Sequence, residues 1–130
     1  KLTPMVGLEK MCFVGTVCSF CTVFIFFLNN NLGENGPLTL SLICVLFGCS
    51  NGFAVANSMS GAINSSKLNK GAASGLMGAF QVGSGGLAGF LIIYFGGAEN
   101  FNICLFALFI MSGISIISSY LVLYRKKIII

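Results

Sequence analysis

The chain has 130 residues, 56% of them hydrophobic and only 8% charged, with a mean hydropathy of +0.97 and a net charge of +4. A soluble domain carries roughly 25% charged residues and covers its surface with them. This composition excludes that class and places the chain in a bilayer. It holds no His and no Asp, which removes Ser-His-Asp triads, Cys-His pairs and histidine metal sites. The three acids, Glu9, Glu34 and Glu99, fall in loops or at helix ends. The basic residues form no aromatic-interleaved patch, so nucleic acid is not a partner. The chain therefore reads as a non-enzyme with no catalytic residue, no cofactor and no metal.

A membrane helix needs about 20 apolar residues to cross roughly 30 Å of hydrocarbon. Four runs qualify, and they predict an all-α membrane segment, residues 1–130, with helices at about 11–28, 38–59, 72–95 and 101–124. The breaks carry turn residues: Asn29 to Pro37, Asn64 to Lys70, and the short Gly96 to Asn100, which is tight enough for a helical hairpin. Pro37 suits a first helical turn.

The first span, Met11 to Leu28, is bulky, with Phe20, Phe24, Phe26 and Phe27. Together with the fourth it reads as a helix with much lipid contact. Cys12, Cys18, Cys21, Cys44, Cys49 and Cys104 all lie inside apolar runs, where Cys behaves as a small hydrophobe, so neither disulfides nor metal ligation are expected.

On the second span, 100° per residue collects Phe47, Ser50, Asn51, Ala54, Asn57, Ser58 and Gly61 on one arc of roughly 120°. Leu42, Val45, Cys49, Phe53 and Ala56 lie opposite. Polar side chains in a membrane face protein or a water-filled cavity. Two readings stand side by side: hydrogen bonding to another helix, or the wall of a substrate pathway formed by Asn51, Asn57 and Ser58 with Phe47 as an apolar contact.

The third span holds seven glycines between Gly71 and Gly89. Gly71, Ser74, Gly75, Gly78, Gly85 and Gly89 share a face with Gln81 at its edge, while Leu76, Phe80, Leu87, Phe90, Leu91 and Tyr94 lie opposite. A face of nearly bare backbone lets another helix approach closely. Static packing and a sliding contact are both open. Gly83-Ser84-Gly85-Gly86 is mid-span with no preceding strand and no following Lys, so it is not a phosphate loop.

The stretch Ala56-Asn57-Ser58-Met59-Ser60, a short polar loop, and Gly71-Ala72-Ala73-Ser74-Gly75-Leu76-Met77-Gly78-Ala79-Phe80-Gln81 resembles the tenth and eleventh helices of major facilitator superfamily transporters. Within that superfamily it is most similar to the bicyclomycin/chloramphenicol-resistance (Bcr/CflA) branch of drug:proton antiporters. Ala72 stands where the branch usually has Thr, and Ala56 where many members have Pro. The resemblance implies that the chain is the C-terminal part of a twelve-helix fold, its ninth to twelfth helices. The tenth helix then lines the pathway, the eleventh contacts the missing N-terminal half, and the ninth and twelfth are outer supports. It implies multidrug efflux across the inner (plasma) membrane, proton-coupled in the complete protein, with a small molecule such as a drug as substrate. The acids for such coupling lie outside this segment.

Two other classes compete. A small four-helix multidrug-resistance-type dimer matches in length and span count, but needs an acid within the first helix, and Met11 to Leu28 has none. A non-transport membrane structural subunit is the third class.

Four spans put Lys1 and Lys10, Lys67 and Lys70, and Arg125, Lys126 and Lys127 on one side, and no Lys or Arg on the other. The positive-inside rule then sets both termini in the cytoplasm. Reporter fusions after Arg125 and near Glu34 are expected to report opposite sides of the membrane; the same side for both contradicts the topology.

Overall fold

A computed structural model gives the fold of residues 7–33, 36–66 and 69–129. Lys1, Glu34 and Lys67 of the charge count lie outside these described residues, as do the side chains of Arg125, Lys126 and Lys127. The described residues are helical, with no strand among them. The helices are α1 (Leu8–Leu32), α2 (Pro37–Ser65), α3 (Lys70–Tyr94) and α4 (Phe101–Ile129). At 1.5 Å per residue, the shortest of them reaches about 37 Å, more than the hydrocarbon thickness. All four are long and apolar enough to span a membrane.

The helices exceed the apolar runs at most ends. Asn29, Asn30, Asn31 and Leu32, read above as loop, continue α1, and Asn64 and Ser65 continue α2. Inside a bilayer a helix satisfies its own backbone, so it runs on through polar residues until a capping device stops it. Pro37 opens α2, since its missing N–H is one that a first turn leaves unbonded anyway. Asn69 caps α3, its Oδ1 accepting from the Ala72 N–H at 3.3 Å. Beyond α3, Gly96 turns the chain at φ 88°, a conformation that only glycine adopts without strain. The N–H groups of Glu99 and Asn100 then donate to its carbonyl at 3.1 and 3.0 Å.

α1 runs antiparallel to both α2 and α4 and is the centre of the packing, between them. A stripe of small and hydroxylated residues on α1 is the reason: Gly15, Thr16, Ser19, Thr22 and Val23 are all buried. Gly15 admits α2 at closest range, since a Cβ there would lie 2.9 to 3.0 Å from the backbone of Ala54. The phenylalanines of α1 largely turn to α4 rather than only to lipid. Phe20, Phe24 and Phe27 surround Phe109 with ring centroids at 5.1, 6.4 and 6.0 Å, and Phe26 meets Phe101 edge-on at 5.8 Å. Such pairs contribute about 0.5–1.5 kcal/mol each beyond their area in water.

α3 stands apart. The Gly96–Asn100 turn joins it to α4, and no α3 residue is buried. Leu76, Phe80, Val82, Leu87 and Phe90 are all more than 60% exposed.

Gly15→Ala is expected to push α1 off α2, with a loss of roughly 1–3 kcal/mol on the scale of an overpacked core. Gly78→Ala, where a Cβ meets nothing within 4 Å, is expected to leave stability unchanged. Detergent-titrated unfolding of the two variants checks this; equal effects contradict the packing.

Candidate functional site

The seam between α1, α2 and α4 holds three cavities in series. The first, about 310 Å³, lies where α1 starts and α2 ends. Leu8, Glu9 and Cys12 line it from α1, Asn57, Ser58, Gly61, Ala62 and Ser65 from α2, and Ser119 and Val122 from α4. Lys10 and Lys70 belong to the same end of the bundle. The second, about 130 Å³, is lined by Thr16, Ser19, Phe47, Asn51, Ala54, Leu108, Met111, Ser112 and Ser115. The third, about 80 Å³, is lined by Thr22, Val23, Phe26, Ile43, Cys44, Phe47 and Leu108. Polarity falls along the series, from a carboxylate with hydroxyls, through hydroxyls with an amide, to nearly pure hydrocarbon.

The hydroxyls are held by their own helices. Ser19 donates to the Gly15 carbonyl at 3.0 Å, Thr22 to Cys18 at 2.9 Å and Ser112 to Phe109 at 2.9 Å. One polar contact ties the seam across helices: Thr16 Oγ1 and Ser119 Oγ are 2.8 Å apart and both buried. It sits between the first two cavities. A second interhelical link, Asn30 Nδ2 donating to Asn102 Oδ1 at 2.7 Å, closes the opposite end of α1 against α4.

The four pathway residues read from α2 are spread over all three cavities, Phe47 lining the third as well as the second. Phe47 and Asn51 line the middle cavity, while Asn57 and Ser58 line the end cavity. Asn57 is 9% exposed, and its Nδ2 donates to the Phe53 carbonyl at 2.8 Å. The opposite face of α2, with Leu42, Val45, Cys49, Phe53 and Ala56, is exposed. Asn51 is the middle residue of Pro37–Ser65 and remains exposed at the rim of the seam.

The face on α3 meets no helix among those described. At Gly75, Gly78, Gly85 and Gly89 an added Cβ has nothing within 4 Å, and at Gly71 it meets only the capping side chain of Asn69. Ser74 is half-buried and Gln81 exposed. A groove of about 490 Å³ lies on the bulkier side of α3, along Leu76, Ala79, Phe80, Gly83, Ser84 and Leu87.

Two contributors escaped the sequence reading. Glu9 belongs to the first turn of α1 and lines the largest of the three seam cavities. The stripe Gly15, Thr16, Ser19 and Thr22 builds the seam, and its signal was present as small residues spaced three and four apart among the phenylalanines. All six cysteines are free thiols, Cys12 and Cys104 half-buried and the others exposed on helix surfaces. Among the described residues, no three of the His, Cys, Asp and Glu side chains gather in one place.

A double-mutant cycle on Thr16→Val and Ser119→Ala is expected to give a coupling of about 0.6 kcal/mol, the average for interhelical hydrogen bonds in a membrane. Zero coupling means that the two hydroxyls serve their own helices alone.

No family model, characterised protein or solved structure matches the chain.

Proposed function

We propose that the chain is the C-terminal part of a multidrug-type secondary active transporter of the major facilitator kind, exporting small molecules from the cell and proton-coupled in the complete protein. The observation that carries this reading is α3. A membrane-length helix with a glycine face and a bulky face has no buried residue here. Glycine faces serve close helix contacts, so α3 calls for a partner beyond these four helices. In the proposed fold that partner is a helix of the N-terminal half, against which the glycine face moves during alternating access. The polar arc of α2 supports the same reading, because transport sites are mostly apolar with a few placed polar groups. Asn51 at the rim of the seam, midway along its helix, is where such a group belongs.

A second reading gains from Glu9. A four-helix dimeric transporter of the small multidrug-resistance type needs an acid in its first helix, and α1 begins early enough to contain one. Glu9 sits in the first turn, however, far from the middle of the span. The exposed α3 is then the dimer contact.

Efflux from cells expressing the complete protein tests the proposal. Dye accumulation is expected to fall, and a protonophore to restore it. Gly78→Leu is expected to cut efflux about tenfold, a barrier cost of about 1.4 kcal/mol, with membrane abundance unchanged. Val82→Leu, nearer the edge of the face, is expected to matter less, and Leu87→Val to be tolerated. Normal efflux by Gly78→Leu contradicts the moving contact, and efflux by the four helices alone favours the dimer.

A further inference from the structure

We infer that the middle cavity of the α1–α2–α4 seam binds a cluster of water molecules at the centre of the membrane span. Three helices supply its polar groups: Thr16 and Ser19 from α1, Asn51 from α2, Ser112 and Ser115 from α4. Asn51 is the middle residue of Pro37–Ser65, so about 21 Å of helix separates it from either end. No charged side chain lines the cavity.

The polar groups are of two kinds. Ser19 and Ser112 commit their protons to the Gly15 and Phe109 carbonyls at 3.0 and 2.9 Å, and Thr16 is bonded to the Phe13 carbonyl and to Ser119. The two serines offer lone pairs to the cavity. Asn51 and Ser115 make no side-chain hydrogen bond among the described residues. Asn51 brings two N–H donors and a carbonyl oxygen, and Ser115 a hydroxyl that donates and accepts. In hydrocarbon such groups carry the full cost of desolvation unless something bonds to them.

The occupant must donate to Ser19 and Ser112 and accept from Asn51. An ammonium only donates and a carboxylate only accepts, whereas water does both. The size agrees: about 130 Å³ holds roughly four water molecules at about 30 Å³ each. The third cavity, about 80 Å³, also has room for water, but its one hydroxyl, Thr22, is committed to the Cys18 carbonyl. A buried water needs two to four polar partners, so that cavity stays dry. Toward the helix ends, the Thr16–Ser119 contact divides the cluster from the end cavity.

Hydroxyl radicals made from water by an X-ray pulse oxidise the side chains within reach of that water, and Met111 in the cavity wall is the reporter. In the complete protein in nanodiscs, Met111 is expected to be oxidised despite its depth, as Tyr124 near the end of α4 is by bulk water. Asn51→Leu, close to Asn in shape but without its polar atoms, is expected to bring Met111 oxidation to background and leave Tyr124 unchanged. Asn51→Ser is expected to retain it, which separates loss of water from loss of fold. Absence of Met111 oxidation in the wild type means that another helix covers these groups, and overturns the site. Unchanged oxidation in Asn51→Leu means that bulk water reaches Met111, and equal loss in Asn51→Ser means that packing alone is disturbed; each overturns the bound cluster. Efflux does not enter the readout, so the water site stands or falls apart from the transport reading.

Discussion

The hydroxyl stripe of α1 cannot face hydrocarbon without cost, and the rest of the packing follows from that. Thr16, Ser19 and Thr22 are buried, and Gly15 beside them brings the backbone of α2 to contact distance. Lipid tails are as apolar as leucine, so helices in a bilayer gain little by hiding apolar surface from each other. They gain by close approach and by shared polar contacts, and α1 offers both. That puts it in the middle, with α2 on the Gly15 side and α4 on the Ser119 side. The ring cluster around Phe109 then fills the α1–α4 contact beyond the reach of the hydrogen bond.

The spans were legible in the sequence because apolar length and turn residues report them directly. Nothing but Glu34 interrupts the charge-free stretch from Met11 to Ser66, and Pro37 and Asn69 mark helix starts by chemistry that works locally. The polar arc of α2 was also legible, since 3.6-residue periodicity sorts Asn57 and Ala54 from Val45 and Phe53 whatever surrounds them. The centrality of α1 was not. Five phenylalanines, Phe13, Phe20, Phe24, Phe26 and Phe27, dominate that span and suggest a lipid face, yet an aromatic ring packs on another helix as readily as on lipid. Glu9 was hidden for a different reason. Its place in a cavity depends on Asn57 and Ser119, which the fold alone brings near. The α3 face was visible as a pattern, but a pattern names a need for a partner and not the partner.

The serines show how a polar sequence stays compatible with a membrane. Ser41, Ser50 and Ser60 donate to carbonyls one turn back, at 2.7 to 2.8 Å, on exposed surfaces of α2. A hydroxyl satisfied in this way presents lone pairs outward and no unbonded proton. On a lipid face this limits the cost of a serine. In a cavity the same habit gives the wall a sign, with oxygen facing inward. The hydroxyls of the seam share this local geometry on α1, α2 and α4.

The link between Thr16 and Ser119 spans 103 residues of chain, and that separation has a consequence for the order of assembly. At about 5–20 residues per second, Ser119 leaves the ribosome roughly 5–20 s after Thr16. Through that interval α1 resides in the membrane without α4 beside it. Thr16 already holds a bond to the Phe13 carbonyl at 2.8 Å, which keeps its proton engaged while the chain is still being made. The contact with Ser119 forms only when α4 arrives, so this part of the seam is closed by the later of the two helices to be synthesised.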